Sequence, residues 1–323
     1  MNSITDILNQ FESKRVLIIG DAMIDAYMWG TIHRMSPEAP VPVVEIEKRE
    51  SRLGGAANVA LNIQSLGATP FLFSAIGDDY NGDLFLSLMK VQNLSCEGIF
   101  KIKDRNTTVK TRIISDNKQV LRVDEERTDI IDDENLLNQL EKMILTQSFD
   151  VIIFEDYNKG LLSEKLIQKA IAAAKQKGIP TIVDPKKDNF FSYKGVDVFK
   201  PNLKEIKEGL NVDFDVQSEM ELSENVELLR NKLKAKGILL TLSEQGIYFQ
   251  NSTHIYREPA HKRNIIDVSG AGDTVVSVAA LALACGLDSE DMMRIANLAG
   301  GLVCEKVGVV PINKQDLLEA FKK

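Results

Sequence analysis

The chain has 323 residues, 44% of them hydrophobic and 27% charged, the balance of a globular protein long enough to bury a large core. Its formal net charge of -8 argues against a nucleic-acid partner held by electrostatics, although a few local cations suffice for a phosphorylated ligand. Cys96, Cys285 and Cys304 are widely spaced and His33, His254 and His261 are scattered, which excludes a disulfide framework and a Cys/His metal cluster and points to a reducing compartment. Residues 1–6 carry neither a basic nor an apolar leader pattern, and no apolar run is long enough to span a bilayer. A cytoplasmic protein with no membrane partner is expected.

In chain order, residues 15–20 form an apolar run ending in Gly20, the profile of a buried strand in a parallel sheet, and Asp21 and Asp25 follow it. Segments 41–52 and 96–124 are rich in β-branched residues in polar alternation, which predicts antiparallel strands with one wet face. They are expected to form a small separate sheet, a lid drawn from about 31–52 and 96–124 within a single domain over 1–323. Further buried strands are predicted over 150–155, 179–184 and 237–243, with helices over 164–177 and 223–236. This alternation predicts a parallel sheet covered by helices on both faces. Ligands of such sheets bind beyond the carboxyl ends of the strands, where Glu155, Asp156, Tyr157, Asp184, Lys186 and Thr241 stand. There is no internal repeat, low-complexity tract or long linker.

Three segments carry chemistry. Asp267-Val268-Ser269-Gly270-Ala271-Gly272-Asp273-Thr274 is a glycine-rich turn opening an apolar helix, and the free N–H groups and dipole of such a terminus suit an anion. A fixed carboxylate at Asp273 would repel a resting phosphate, but it suits a base that takes the proton of a hydroxyl attacking a phosphoryl group. Read alone, the segment is a plain helix start with a dipole-matched aspartate, and the rest of the chain must decide otherwise. A dinucleotide fingerprint would want glycine where Val275 stands. Gly54 and Gly55 enter a small-residue helix carrying Asn58, an arrangement for either close packing or backbone approach to a ligand. Asn202 and Glu205, three apart, share one face of a helical turn and read as a capping pair or as ligands of a hydrated Mg²⁺. No Gly-x-x-x-x-Gly-Lys-[Ser/Thr] sequence, protein-kinase motif set, Gly-x-Ser-x-Gly elbow or His-Glu-x-x-His helix occurs.

Taken together and in order, these segments resemble the ribokinase-like (PfkB) carbohydrate kinases over nearly the whole chain. Gly54-Gly55-Ala56-Ala57-Asn58 resembles that family's first signature. The 267–273 segment resembles its second, with Ser269 where threonine is commoner, and Asn202 and Glu205 match its Asn-x-x-Glu motif. Residues 20–25, 34–44, 155–160 and 184–186 are similar to the branch that phosphorylates D-glycero-D-manno-heptose 7-phosphate. Some members of that branch carry a second, nucleotidyltransferase domain with a His-x-Gly-His site; the chain ends at Lys323 without one, as in the stand-alone kinase form.

The resemblance implies a three-layer αβα sandwich with a mostly parallel central sheet and a small β-sheet lid. It implies ATP-dependent transfer to the anomeric hydroxyl of a sugar phosphate, serving ADP-heptose and lipopolysaccharide core synthesis. Asp273 is then the base, and the N–H groups of Gly270, Ala271 and Gly272 stabilise developing charge. Asn202 and Glu205 organise Mg²⁺ through waters, Thr241, Ser243 and Gly246 line the nucleotide phosphates and ribose, and Asn297 lies near the adenine. Asp25, Gly54, Gly55 and Asn58 match positions that bind sugar hydroxyls, with Asp21 and Glu155 beside them. Lys110, Arg112, Arg122 and Lys186 are candidates for the substrate phosphate, Arg112 foremost because Lys110 and Arg112 share one strand face. A homodimer paired through the lid is expected, and a monovalent-cation requirement stays open. Other PfkB sugar kinases, of the ribokinase or fructokinase type, and a non-catalytic sugar or nucleotide sensor are the alternatives.

Overall fold

In the strand Arg15–Gly20 (β1), Val16 and Ile18 enter one hydrophobic core while Leu17 and Ile19 enter the other, each side chain fully buried. A strand apolar on both faces belongs in the middle of a sheet covered on both sides. The computed structural model, which describes residues 4–116, 118–261 and 263–321, places it there.

Twelve further strands follow: β2 (Ala22–Met35), β3 (Pro42–Gly55), β4 (Thr69–Gly77), β5 (Ile99–Ile102), β6 (Val109–Ser115), β7 (Lys118–Glu125), β8 (Val151–Glu155), β9 (Thr181–Asp184), β10 (Val198–Phe199), β11 (Gly237–Thr241), β12 (Ile247–Asn251) and β13 (Ile255–Glu258). Nine form the main sheet in the order β13-β12-β11-β10-β9-β8-β1-β4-β5, parallel except where β12 and β13 join antiparallel at one edge. The helices Ala56–Ser65, Tyr80–Val91, Ala271–Ala284 and Ser289–Val303 cover one face, and Glu134–Thr146, Glu164–Lys177, Leu203–Leu210 and Glu219–Leu233 cover the other. This is the expected three-layer α/β sandwich with a small second sheet. No described helix is long and apolar enough to cross a membrane.

The predicted elements shift where caps override periodicity. The helix expected over 223–236 runs Glu219–Leu233, because the Ser218 side chain accepts from the Glu221 amide and Lys234 turns left-handed at φ 52°. The strand expected over 237–243 stops at Thr241, where a 3₁₀ turn over Ser243–Gln245 begins.

The second sheet departs further from expectation. Its order is β3-β2-β6-β7, so it begins at Ala22, directly after β1, and the β2–β6 pair is parallel rather than antiparallel. Segment 96–124 is divided between the two sheets: β5 pairs parallel with β4 at the edge of the main sheet, and only β6 and β7 reach the small one. The helix Tyr80–Val91 between β4 and β5 returns the chain to the main sheet as a βαβ crossover. In register, Asp25 and Tyr27 of β2 stand beside Lys110 and Arg112 of β6, which face Asp124 and Arg122 of β7, and together these make one charged face. The opposite face carries Ala26, Met28, Ile113, Leu121 and Val123.

Candidate active site

The main-sheet strands end side by side. Gly20 is in register with Glu155 and Glu155 with Asp184, and Lys200 follows β10, whose Phe199 pairs with Val183. Three carboxylates, Glu155, Asp184 and Asp273, each bring one oxygen to within 4.8 Å of the others, and all three are buried. The Lys200 ammonium, itself 3% exposed, lies 2.8 Å from Asp184. Lys200 and the neighbouring Lys186 together do not offset the burial of three anions. Burial, then Asp184 and Asp273, therefore push the Glu155 carboxyl well above its ordinary pKa, and its Oε2 has no hydrogen-bond partner among the described residues. A partnerless buried oxygen in a set of hard oxygen donors fits a divalent cation such as Mg²⁺.

Asp273 sits in the first turn of the helix Ala271–Ala284, which Gly270 opens in the left-handed region at φ 81°. That turn leaves its leading N–H groups without partners inside the helix, although the Ala271 N–H donates to the Val268 carbonyl at 3.3 Å. The Asp273 carboxylate is held at both oxygens: Tyr157 Oη donates to Oδ1 at 2.9 Å and Asn58 Nδ2 to Oδ2 at 2.6 Å. Burial raises its pKa, Asp184 raises it further, and the Asn58 and Tyr157 hydrogen bonds and the Lys200 charge work against that rise. A Cβ on Gly272 would lie 3.5 Å from Asp184 Oδ2 and 3.7 Å from Lys200 Nζ, so the turn faces the carboxylate cluster. Asn58 comes from the helix Ala56–Ser65, and its own Oδ1 is buried with no hydrogen-bond partner among the described residues. Tyr157 carried no role in the sequence reading beyond its place after a strand end; its hydroxyl on Asp273 is a tertiary fact.

Against this centre stands the small sheet's charged face. Arg112 Nη1 donates to Asp25 Oδ1, and the guanidinium lies over the Tyr27 ring at 5.4 Å. Asp25 in turn lies against Gly54, where a Cβ would come within 2.2 Å of Asp25 Oδ2; only glycine admits that approach. Lys110 pairs with Asp124 at 3.4 Å and Glu126 at 3.1 Å, and Arg122 pairs with Asp124 at 2.9 Å while remaining half exposed. Asp21, grouped by position with the sugar ligands, has both oxygens filled by the amides of Tyr157, Lys159 and Leu161. Burial and the nearby Asp156 raise its pKa to about 6 against those bonds. Its work is to hold the loop that carries Tyr157.

On the other flank, Asn202 and Glu205 form a reciprocal capping box for the helix Leu203–Leu210, each side chain accepting from the other's amide at 2.9 Å. Glu205 Oε1 also receives Lys186 Nζ at 3.0 Å. Burial alone would lower the Lys186 pKa; Asp184, Glu205 and Glu155 outweigh it and hold the ammonium above its ordinary value. The same ammonium lies 5.4 Å over the Tyr157 ring, which ties this flank to Asp273. Lys186 thus stands with the capping pair rather than beside Lys110 and Arg112. Thr241 bridges Asn202, Ser243 has φ 55°, and a Cβ on Gly246 would strike the Glu258 carbonyl at 2.0 Å. Asn297 donates its amide to the Pro259 carbonyl at 2.9 Å, fixing the loop after β13. Beyond it, a cavity of about 730 Å³ lies between that loop and the helices Ser289–Val303 and Lys314–Phe321, lined by His261, Arg263, Arg294 and Lys306 among others, away from the carboxylate cluster.

The model of the pfkB family of carbohydrate kinases matches residues 13–315. The chain is 36% identical over 323 residues to the bifunctional protein HldE of Syntrophotalea carbinolica, covering 99% of this chain and 65% of that protein. It is 39% identical over 298 residues to the Helicobacter pylori (strain HPAG1) protein of the same name, covering 91% and 64%. It therefore spans just under two thirds of the length of the curated relatives it matches. Among solved structures, phosphofructokinase-2 from Escherichia coli in complex with potassium superposes with a TM-score of 0.79 at 20% identity, covering 96% of this chain and 98% of that one. Ribokinase from Arabidopsis thaliana complexed with ribose and ATP gives 0.75 at 16% identity, covering 96% and 99%. At such identities the likeness to the solved structures concerns the fold.

Proposed function

We propose that this chain, which belongs to the pfkB family of carbohydrate kinases and is an ATP-dependent carbohydrate kinase, phosphorylates the anomeric 1-hydroxyl of D-glycero-D-manno-heptose 7-phosphate. The product is the 1,7-bisphosphate, which would feed ADP-heptose and lipopolysaccharide core synthesis. The observation that carries the chemistry is Asp273: a buried carboxylate at a glycine-opened helix N-terminus, oriented by Tyr157 and Asn58. The heptose phosphate rests on the resemblance of residues 20–25, 34–44, 155–160 and 184–186 and on the relatedness to HldE.

In this reading Asp273 accepts the proton of the sugar hydroxyl as its oxygen bonds to the γ-phosphorus. The bond from that phosphorus to the β–γ bridging oxygen breaks, and ADP leaves. The N–H groups of Gly270, Ala271 and Gly272 face the charge that develops on the transferring group. Tyr157 and Asn58 fix the carboxylate. The sugar hydroxyls are taken by Asp25, Asn58 and the backbone at Gly54 and Gly55, and cations of the small sheet, Lys110, Arg112 and Arg122, draw in the substrate phosphate. Glu155 and Asp184 would hold Mg²⁺, with Asn202 and Glu205 behind them acting through waters; bound there, the ion neutralises phosphate charge. Thr241, Ser243 and Gly246 flank the nucleotide phosphates, with Asn297 on the adenine side.

The small sheet acts as the lid over the sugar. Its outer apolar face supports pairing with a second copy, since Leu121 is 54% exposed and Val123 44%. A coupled ADP-release screen across heptose, sedoheptulose and hexose phosphates and the unphosphorylated sugars tests the reading. Heptose 7-phosphate should give the highest kcat/KM, and preference for an unphosphorylated sugar would overturn it.

A further inference from the structure

Two lysines from different parts of the chain meet on one carboxylate. Lys159 lies in the loop after β8, and its ammonium is 2.9 Å from Glu126 Oε1. Lys110 lies on β6, and its ammonium is 3.1 Å from Glu126 Oε2. Both side chains are largely buried, at 13% and 16% exposed, although lysine ordinarily keeps its ammonium in water. Asp124 is shared between Lys110 and Arg122. Three cations, Lys110, Lys159 and Arg122, thus face two carboxylates, Asp124 and Glu126, an excess of one positive charge within this group among the described residues.

The surroundings place this group beside the acceptor site. Lys159 is two residues from Tyr157, whose hydroxyl touches Asp273, and Lys110 is in register with Asp25. The Lys159 backbone is pinned: its amide donates to Asp21 at 3.0 Å, and its carbonyl accepts from Arg105. Glu126 stands on the connection just past the end of β7, outside any strand or helix, so of the three partners it is the one free to swing away.

We propose that Lys110 and Lys159 form the seat for the terminal phosphate of the acceptor, and that Glu126 occupies the seat until that phosphate displaces it. A phosphomonoester brings more charge than a carboxylate and three acceptor oxygens, which two ammonium groups with three donors each can satisfy. An unphosphorylated sugar offers nothing that competes with Glu126. The lysines thereby favour phosphosugars, and the resident carboxylate keeps the empty seat neutralised until a group of higher charge takes its place. This assignment rests on the proposed phosphosugar kinase reading and goes past it by naming Lys159 and the displaced group.

The test titrates inorganic phosphate calorimetrically into protein whose nucleotide site is filled with a non-hydrolysable ATP analogue. Lys159→Gln and Lys110→Gln should each weaken phosphate binding about tenfold, Lys159→Arg should restore it, and Glu126→Gln should tighten it several-fold. In turnover, Glu126→Gln should lower KM for D-glycero-D-manno-heptose 7-phosphate while leaving discrimination among unphosphorylated sugars as it was. Equal phosphate affinity in wild type, Lys159→Gln and Glu126→Gln, each shown to be folded by thermal melting, overturns the seat. If phosphate binding follows the expected order but no phosphosugar is turned over, the seat stands and the heptose phosphate reading falls. Phosphosugar turnover with one KM across all variants has the opposite meaning.

Discussion

The Tyr157 hydroxyl donates to Asp273 Oδ1 at 2.9 Å, while Asn58 holds the other oxygen of the same carboxylate. Asp273 is thereby oriented from two sides, and both contacts lower a pKa that burial and Asp184 raise. Removing the Tyr157 hydroxyl should move that balance in one direction. A base must be deprotonated to act, so a raised pKa sets the acid limb of the rate profile above the ordinary carboxylate range. Tyr157→Phe should shift the limb to still higher pH and lower kcat near neutrality, with full activity recovered in alkali. An unmoved limb in a kcat against pH series would show that Tyr157 does not tune Asp273.

Asp273→Asn keeps the size and the Tyr157 contact but cannot take a proton. Loss of one preorganised catalytic group costs on the order of 10²–10³ in rate, and loss of the base should cost at least that much. Circular dichroism should report an unchanged fold, because the helix Ala271–Ala284 is anchored elsewhere, through Thr274 on Asn62 and the full burial of Val276, Val278 and Leu281 in the core. Near-wild-type turnover in this variant would remove Asp273 from the mechanism.

Lys200 is the buried counter-ion of Asp184, at 2.8 Å with both side chains under 10% exposed. Taking away one partner of such a pair leaves an uncompensated buried charge, which typically costs about 3–5 kcal/mol. Lys200→Met should therefore lower the melting temperature markedly. A much smaller loss for the double variant Lys200→Met, Asp184→Leu would identify the stranded charge as the cause.

Divalent cation binding should couple to protons at Glu155. Its pKa is raised by burial first and then by Asp184 and Asp273, so without a metal the folded protein retains this proton at pH values where a solvent-exposed glutamate has lost it. A cation must displace that proton, so Mg²⁺ affinity should rise with pH and binding should release protons. Calorimetry in buffers of different ionisation enthalpy measures the release, and Glu155→Gln should abolish it and weaken Mg²⁺ binding. Mg²⁺ affinity independent of pH and of Glu155 would assign the ion elsewhere.

Gly54→Ala tests the contact between the helix entry and the acceptor wall. The added Cβ would fall 2.2 Å from Asp25 Oδ2, which must move and take its pairing with Arg112 along. KM for the sugar should rise more than tenfold, with kcat less affected, in steady-state kinetics. Equal rises in KM for ATP would point to global distortion instead.

The architecture was largely legible in the sequence because its signals are local. Residues 15–20, 150–155, 179–184 and 237–243 are apolar runs whose burial on both faces needs no partner to be read, and the observed β1, β8, β9 and β11 start or stop within two residues of them. The acidic strand ends and the turn at 267–274 were equally visible, and with them the family. What the sequence could not reveal is which charge meets which. Asn58 and Asp273 are 215 positions apart and Asp21 meets the Tyr157 amide across 136, separations over which no pattern of residues records a contact. The same limit hid the division of segment 96–124, since β-branched alternation marks a strand but not the sheet that accepts it. Sequence alone determined that this chain is a layered α/β protein with acidic groups and a glycine-opened helix at its strand ends. Only the tertiary structure decided that Asp273 is gripped by Tyr157 and Asn58, that Asp21 serves the loop, and that Lys110 and Lys159 share Glu126. Strand and helix formation are written in nearest neighbours, whereas the balance of buried charge exists only once the chain has closed on itself.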